Sequence, residues 1–131
     1  PLETGRLGGG GRTNAASYGR LLKLHLAGGL HDGHRILSPD LVAEMQRPTS
    51  ATFRNPVPEI DARGYGMGWW FDEVDAQGHP RILSDPGAWG AYPWLDRERR
   101  YAAFLFVRRK LADGVRLQRG IRPLIERALD G

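Results

Sequence analysis

Apolar positions at the start of the chain follow the repeat of an α-helix. Between residues 14 and 27 they recur every three or four residues, at Tyr18, Leu21, Leu22 and Leu26. Thr13 or Asn14 can cap the first turn, and Gly28-Gly29 can end the last one. The pattern therefore predicts one amphipathic helix from about Asn14 to Ala27.

Shorter elements follow this helix. Asp32-Gly33 is a tight-turn dipeptide between two short apolar segments. Ser38 before a proline is typical of a helix start, and Pro48 prevents that helix from continuing, so a short helix is predicted over residues 39–46. Residues 48–63 are polar and rich in proline, which favours a long surface loop.

From Tyr65 the pattern changes to short apolar runs separated by turn residues, which indicates β-strands joined by hairpins. The runs cover residues 64–74, 81–84, 91–95 and 101–107. Strands joined by hairpins are antiparallel. Both faces of the last run are apolar, so we expect this strand to be buried on both sides.

The C-terminal residues supply a cover for this sheet. Apolar side chains form one helical stripe, at Ile121, Leu124, Ile125, Ala128 and Leu129. Pro123 is tolerated in the first turn of a helix. The sequence therefore predicts an α+β fold with two helices, then an antiparallel sheet of about three to four strands covered by a C-terminal helix.

The chain of 131 residues is of a size for one domain. Residues 1–12 form a glycine-rich loop, residues 13–63 a helical segment with the proline-rich stretch, and residues 64–131 the sheet with its helix. No apolar run is long enough to span a membrane. The chain begins with Pro1 and no leader, which suggests a processed or excised piece; the compartment stays open.

The charge distribution argues against a nucleic-acid partner. The net charge is +4, from 19 basic and 15 acidic residues. Residues 1–65 carry 8 basic and 6 acidic groups, and residues 66–131 carry 11 and 9, so each half contributes +2. A nucleic-acid binder concentrates its cations on one face or tail. The local clusters at residues 97–100 and 108–110 are interpreted as solvated strand ends.

Several kinds of chemistry are excluded by the residues present. The chain has no cysteine, which excludes disulfides, thiolate zinc sites and a cysteine nucleophile. No serine has a lysine three positions later, and Ser84 lacks the flanking glycines of a nucleophile elbow. His31 and His34 have no third ligand at a suitable spacing. We therefore expect neither a metal nor a cofactor.

The most informative stretch is residues 83–96. It joins two strands through small residues and carries two tryptophans and a tyrosine. Small residues let a ligand approach backbone N–H groups, and exposed aromatic rings could wall a pocket. The alternative is that the rings fill the core and the glycines form a bulge. The residues themselves favour neither.

Four segments occur in a recognisable order. They are the Gly8–Gly11 loop, LAGGLHDGHRILSPDLVAEM, GYGMGWWF and DPGAWGAYPWLDRERRYAAFLF. Together they resemble the C-terminal part of the serine β-lactamase and penicillin-binding-protein superfamily, close to class C β-lactamases and the related esterases and D-alanyl peptidases. The resemblance covers nearly all of the chain, and it implies a partial β-lactamase-like fold.

The resemblance also implies a mechanism and a set of site residues. In that family the serine of a Ser-x-x-Lys motif is acylated, and the lysine with a tyrosine from a second motif moves the protons; neither motif occurs in this chain. A third motif, Lys or His followed by x-Gly, helps to bind substrate, and the next backbone N–H forms half of the oxyanion hole. Matching positions give Asp85-Pro86-Gly87 for the triplet and the Ala88 amide for the oxyanion donor. The expected substrate-binding residues are Trp89, Tyr92, Gly10 and Gly11.

Asp85 departs from this pattern because it stands where the family has a cation. A carboxylate ~4 Å from a developing oxyanion raises its energy by several kcal/mol at an effective dielectric constant of about 20. The match could be shifted by one residue, but Gly87 and the small residues after it align well. We therefore expect either that Asp85 is paired with an arginine such as Arg81, or that the activity is reduced or altered.

Two functions remain open. The first is the C-terminal portion of a serine hydrolase that acts on an ester, amide or β-lactam, inactive as 131 residues alone because its nucleophile lies upstream. The second is a non-catalytic binding module of the same fold, for which Asp85 is the supporting feature. A homodimer, or association with the upstream N-terminal half, is expected to cover exposed sheet and helix surface.

Overall fold

A computed structural model describes residues 11–49 and 52–131. The elements in chain order are α1 (Ala15–Leu26), β1 (Leu30–His31), β2 (His34–Arg35), α2 (Pro39–Met45), β3 (Gly64–Tyr65), β4 (Trp70–Val74), β5 (Pro80–Ser84), β6 (Tyr92–Asp96), β7 (Tyr101–Leu105) and α3 (Leu111–Asp130). Strands β1 and β2 form a small hairpin, and β3 to β7 form one antiparallel sheet. The predicted α+β class is confirmed.

The sheet has five strands in chain order, β3-β4-β5-β6-β7. The single strand predicted over residues 64–74 is two strands, because the chain turns between them. Gly66 N–H donates to the carbonyl of Trp69 at 2.8 Å, and Gly68 has a φ of 78°, which favours glycine. Each strand pairs with the next along the chain, as hairpin connections require.

Both predicted N-terminal helices begin at their expected caps. The side chain of Asn14 accepts a hydrogen bond from Ser17 N–H at 2.9 Å, and the Ser38 hydroxyl accepts one from Leu41 N–H at 3.1 Å. Each cap satisfies a backbone donor that the first helical turn leaves free. Local side-chain chemistry therefore determines where these helices start.

Two hydrophobic clusters lie on opposite faces of the sheet. The cluster facing α1 consists of Leu22, Trp69, Phe71, Leu83 and Leu95. The cluster facing α3 consists of Ile82, Tyr92, Trp94 and Val115. Strand β7 contributes to both, with Phe104 packed on the α1 side and Leu105 on the α3 side. The strand is nevertheless only half-buried, because it is the last strand of the sheet in the described part of the chain.

The C-terminal helix differs from its prediction. α3 begins at Leu111 and is 20 residues long, so Pro123 lies in its interior and not in its first turn. The side chains of Leu124 and Leu129 are exposed, and the buried residues of α3 are Gly114, Val115 and Gln118. The earlier start was missed because the N-cap position, Lys110, makes no side-chain cap bond. It is therefore the first half of α3 that contains the residues buried against the sheet.

Candidate active-site hairpin

The segment that carries the predicted site is the tip of the β5–β6 hairpin. Strand pairing continues past Ser84, since Asp85 N–H donates to the carbonyl of Pro93 at 3.2 Å and Gly87 N–H donates to that of Ala91 at 2.8 Å. Gly90 N–H donates back to the Gly87 carbonyl at 2.9 Å, and Gly90 has a φ of 85°. The tip is therefore a tight turn ending in a left-handed glycine, a common hairpin closure.

Helix α3 and the residue pair before it pack directly against the backbone of this tip. A Cβ atom on Gly114 would lie 2.1 Å from the Gly90 carbonyl oxygen, so the two backbones touch directly. The carbonyl of Trp89 accepts a hydrogen bond from Arg109 N–H at 2.7 Å, just before α3 begins. These contacts fix the orientation of the turn relative to the rest of the domain.

Ala88 and Trp89 are the exposed residues of the turn. Trp89 is 74% exposed. Ala88 is exposed as well, and its N–H makes no hydrogen bond to any residue of 11–49 or 52–131. A free backbone donor on a braced turn can stabilise negative charge that develops on a ligand oxygen.

Asp85 lies at the base of the turn and is half-buried. The Tyr18 hydroxyl donates to Asp85 Oδ2 at 3.5 Å. Burial raises the pKa of Asp85 above its usual value, and the Tyr18 hydrogen bond lowers it in part. No ion pair to Asp85 is formed by the described residues.

The predicted partner of Asp85 was wrong. Arg81 pairs with Glu98 at 2.7 Å. The physical reason lies in the strand geometry: four residues of extended chain span about 13 Å, so a pair with Asp85 would require both side chains to extend fully toward each other. The turn after β6 supplies a nearer carboxylate, that of Glu98, to the arginine.

Tyr18, which the sequence pattern places on the apolar face of α1, also reaches the candidate site, because its hydroxyl bonds to Asp85. Its ring stacks on Phe104 with 4.6 Å between the ring centroids. Burial, and next the charge of Asp85, raise the pKa of Tyr18 to about 12. The hydroxyl is therefore a neutral donor at physiological pH. Only the packing of α1 on the sheet brings this residue to Asp85.

Tyr92 lies on the other face of the sheet, away from Asp85. It is buried in the cluster that faces α3, and its hydroxyl donates to Asp72 at 3.1 Å. Ser84 also donates to Asp72, at 2.7 Å, and is 0% exposed. Successive residues of a strand point to opposite faces, so Ser84 and Asp85 cannot share one site. Tyr92 is therefore part of a buried polar cluster with Asp72 and Ser84.

This polar cluster was not found from the sequence. Burial raises the pKa of Asp72 to about 6, while the hydrogen bonds from Ser84 and Tyr92 lower it in part. A cavity of about 250 Å³ adjoins the cluster and is lined by Asp72, Tyr92, Gln118 and Arg122, among others. The one available signal was the pair of neighbouring carboxylates, Asp72 and Glu73, among the apolar residues of β4.

The two glycines predicted to bind substrate are not joined to this site. Gly11 is exposed, and no heavy atom lies within 4 Å of the position of its Cβ. Gly10 lies outside the described residues. The structure therefore brings together Asp85, Gly87, Ala88 and Trp89, with Tyr18 as an addition.

Two further findings concern residues 11–49 and 52–131. They contain no group of three or more histidine or acidic side chains arranged to hold a metal ion. None of their helices is long and apolar enough to cross a bilayer.

Comparison with known protein families gives a match that includes this hairpin. The family model described as Beta-lactamase matches residues 3–124, most of the chain. The chain belongs to the β-lactamase family. The resemblance found in the sequence is thereby confirmed, and the hairpin is the place where the third active-site motif of such a β-lactamase-family chain was expected.

A solved structure agrees with the family assignment. It is described as that of a "putative beta-lactamase" from Bacteroides dorei DSM 17855, and it matches with a TM-score of 0.67 and 27% sequence identity. The match covers 82% of this β-lactamase-family chain and 37% of that one. The chain thus spans well under two thirds of the length of this relative. No curated protein sequence matches it significantly.

Proposed function

We propose that this chain is the C-terminal portion of a serine hydrolase that acts by acyl transfer on an ester, amide or β-lactam. The chain would supply the third motif and one edge of the oxyanion hole, and the nucleophile would come from another part of the parent protein. The observation that carries the proposal is the exposed Ala88 N–H, free of hydrogen bonds among the described residues, on a turn braced by α3.

The chemistry requires that donor at a defined moment. When a serine oxygen attacks the substrate carbonyl, a carbon–oxygen bond forms and the carbonyl electron pair moves onto the oxygen. The Ala88 N–H would donate to this oxyanion until the pair returns and expels the leaving group, which takes up the serine proton. One such donor is worth roughly 3 kcal/mol in mutagenesis of other hydrolases.

The nucleophile is not offered by the described serines. Ser84 is fully buried and bonded to Asp72 on the opposite face of the sheet. The Ser38 hydroxyl caps α2. Ser17 lies on the exposed first turn of α1 and has no lysine three positions later. This supports the proposal that the catalytic serine belongs to the parent and not to these 131 residues.

The experiment is a comparison of the parent protein with the isolated chain. A chromogenic cephalosporin and a chromogenic ester are offered to both, and the parent is expected to hydrolyse at least one of them while the chain alone hydrolyses neither. Turnover by the chain alone that persists in Ser84→Ala would contradict the proposal, because the nucleophile would then lie within these 131 residues. A parent that shows neither hydrolysis nor acylation by these compounds would contradict it as well.

A second candidate is favoured by one observation, the carboxylate of Asp85 beside the proposed oxyanion donor. A negative charge there opposes catalysis, so a non-catalytic binding module of the same fold is the alternative. Mass spectrometry of the parent after exposure to a β-lactam distinguishes the two. A covalent adduct supports the hydrolase, whereas ligand binding without an adduct supports the binding module.

We further propose that the chain associates, either as a homodimer or with the N-terminal half of its parent. Strand β7 pairs only with β6 within the described residues, and Phe106, just beyond its end, is 62% exposed. An unpaired strand edge is a site for strand addition. Light scattering after gel filtration should show a species larger than the monomer of 14.6 kDa, and a compact monomer would argue against the homodimer.

A further inference from the structure

The carboxylate of Asp85 has few hydrogen-bond donors around it. An ionised carboxylate can accept about four hydrogen bonds, yet the Asp85 side chain receives one from the described residues, from the Tyr18 hydroxyl at 3.5 Å. That distance is longer than the roughly 2.5–3.0 Å usual for O–H donors, so the hydrogen bond is weak. Asp85 is also half-buried, so water replaces the missing partners only in part.

No cation compensates the charge of Asp85. Burial and the Tyr18 hydrogen bond are the causes of its pKa shift, and no described charged group contributes. Arg81 is engaged with Glu98. Neither Arg109, whose N–H bonds to Trp89, nor Lys110 forms a salt bridge or a side-chain hydrogen bond with Asp85. The Asp85 carboxylate would therefore attract a cation, and none of the described residues supplies one.

Tyr18, the one hydrogen-bond partner of the Asp85 side chain among the described residues, belongs to a row of packed aromatic rings. The ring of Tyr18 stacks on Phe104 at 4.6 Å, and Phe104 meets Phe106 edge to face at 5.4 Å. Phe106 is 62% exposed. Of these rings only that of Tyr18 lies beside the carboxylate. A carboxylate beside an aromatic ring is a combination that binds ammonium and guanidinium groups, by ion pairing and by attraction to the ring.

We propose that Asp85 and the adjoining ring of Tyr18 bind a positively charged group of the ligand, an ammonium or a guanidinium. Asp85 is then a specificity-determining residue that favours cationic ligands over anionic ones. The proposal rests on the proposed function only in that the carbonyl of the same ligand would face the Ala88 N–H. The binding preference itself requires no catalysis.

The test uses three small ligands of similar size and different charge. Benzylamine is a cation at pH 7.5, benzyl alcohol is neutral and benzoate is an anion. Each is titrated into the isotope-labelled 131-residue chain, and the amide shifts of Ser84, Asp85, Gly87 and Ala88 are followed by NMR. We expect benzylamine to bind at least about fivefold more tightly than benzyl alcohol, the ratio for one modest ion pair, and benzoate to bind more weakly than benzyl alcohol.

Two isosteric variants separate a local from a general effect of charge. Asp85→Asn should abolish the preference for benzylamine. Asp40→Asn removes the same charge from the exposed first turn of α2 and should leave the preference unchanged. Circular dichroism confirms that both variants fold. The proposal is overturned if benzylamine and benzyl alcohol bind alike, if Asp85→Asn keeps the preference, or if Asp40→Asn loses it equally.

Failure of this inference and failure of the proposed function give different results. A charge-independent ligand response in the chain, with hydrolysis by the parent intact, removes only the role of Asp85. A cation preference that depends on Asp85, in a parent that is neither acylated nor active, removes only the hydrolase and supports the binding module.

Discussion

Gly114 of α3 lies in direct backbone contact with Gly90 of the candidate hairpin. A Cβ atom at residue 114 would come within 2.1 Å of the Gly90 carbonyl oxygen, which no side chain can tolerate without a shift of the helix or the turn. The position of the Ala88 amide thus depends on the absence of a side chain on a helix 26 residues away along the chain.

Gly114→Ala should therefore destabilise the domain. Overpacking of this kind costs about 1–3 kcal/mol, which exceeds the gain of roughly 1 kcal/mol from replacing a helical glycine by alanine. Gly120→Ala is the matched control in the same helix, because nothing lies within 4 Å of its Cβ position, and it should stabilise the protein. Urea unfolding measures both variants. Equal stabilisation by the two would show that the Gly90–Gly114 contact is not formed.

Asp72 should make stability depend on pH in an unusual direction. Burial raises its pKa from 3.8 to about 6 in the folded state, so the folded state binds more protons than the unfolded state between these values. The free energy of unfolding therefore decreases as pH rises from about 4 to about 6, and the resulting cost at pH 7 is on the order of 3 kcal/mol.

Asp72→Asn tests this effect. Asparagine keeps an acceptor oxygen for Ser84 and Tyr92 but carries no charge. In urea unfolding between pH 4 and pH 7, the variant should gain stability relative to the wild type as pH rises. A stability difference that stays constant over this range would refute the burial of an ionisable Asp72.

His25 should act in the opposite direction. It is buried against Trp69, with 5.0 Å between ring centroids, and its Nδ1 has no hydrogen-bond partner among the described residues. Burial lowers the pKa of His25 below its usual 6.5, so the unfolded state binds the proton more readily. Its contribution to stability is present above pH 6.5 and is lost as pH falls below that value.

His25→Phe should remove this loss, because phenylalanine keeps the edge-to-face contact with Trp69 and does not titrate. The measurement is the difference in unfolding free energy between wild type and variant at pH 5 and pH 7.5. The wild type is expected to fall behind the variant at pH 5. If the two lose stability in parallel, His25 is not the group that titrates.

Local patterns predicted the elements whose ends depend on neighbouring residues. Asn14 and Ser38 cap α1 and α2 because the cap and its partner are three residues apart, a spacing visible in the sequence. α3 begins at Leu111, next to Lys110, which forms no such cap. Its first half contains Gly114. Glycine is a poor helix former, but at this position it allows the close contact with Gly90. That contact is tertiary, so the sequence pattern does not predict it.

The candidate site was predictable in its chain segment and not in its surroundings. The turn at Ala88 follows from the small residues around it. Tyr18 and Asp85 are 67 positions apart in the chain, and the periodicity of apolar residues does not predict that they come into contact. The polar cluster on the other face similarly joins Asp72 of β4, Ser84 of β5 and Tyr92 of β6. Its formation depends on strand register, which the sequence pattern leaves open.

The proposed role of Ala88 is tested most directly by removing its backbone N–H in the parent protein. Ala88 follows Gly87 in the turn, and neither Ala88 nor Trp89 has a positive φ, so this position can accept proline. Ala88→Pro removes the N–H, whereas Ala88→Gly retains it. We predict that kcat falls by roughly 100-fold or more in Ala88→Pro and changes little in Ala88→Gly. An Ala88→Pro parent that folds and keeps the kcat of the wild type would show that the Ala88 N–H is not part of the oxyanion hole.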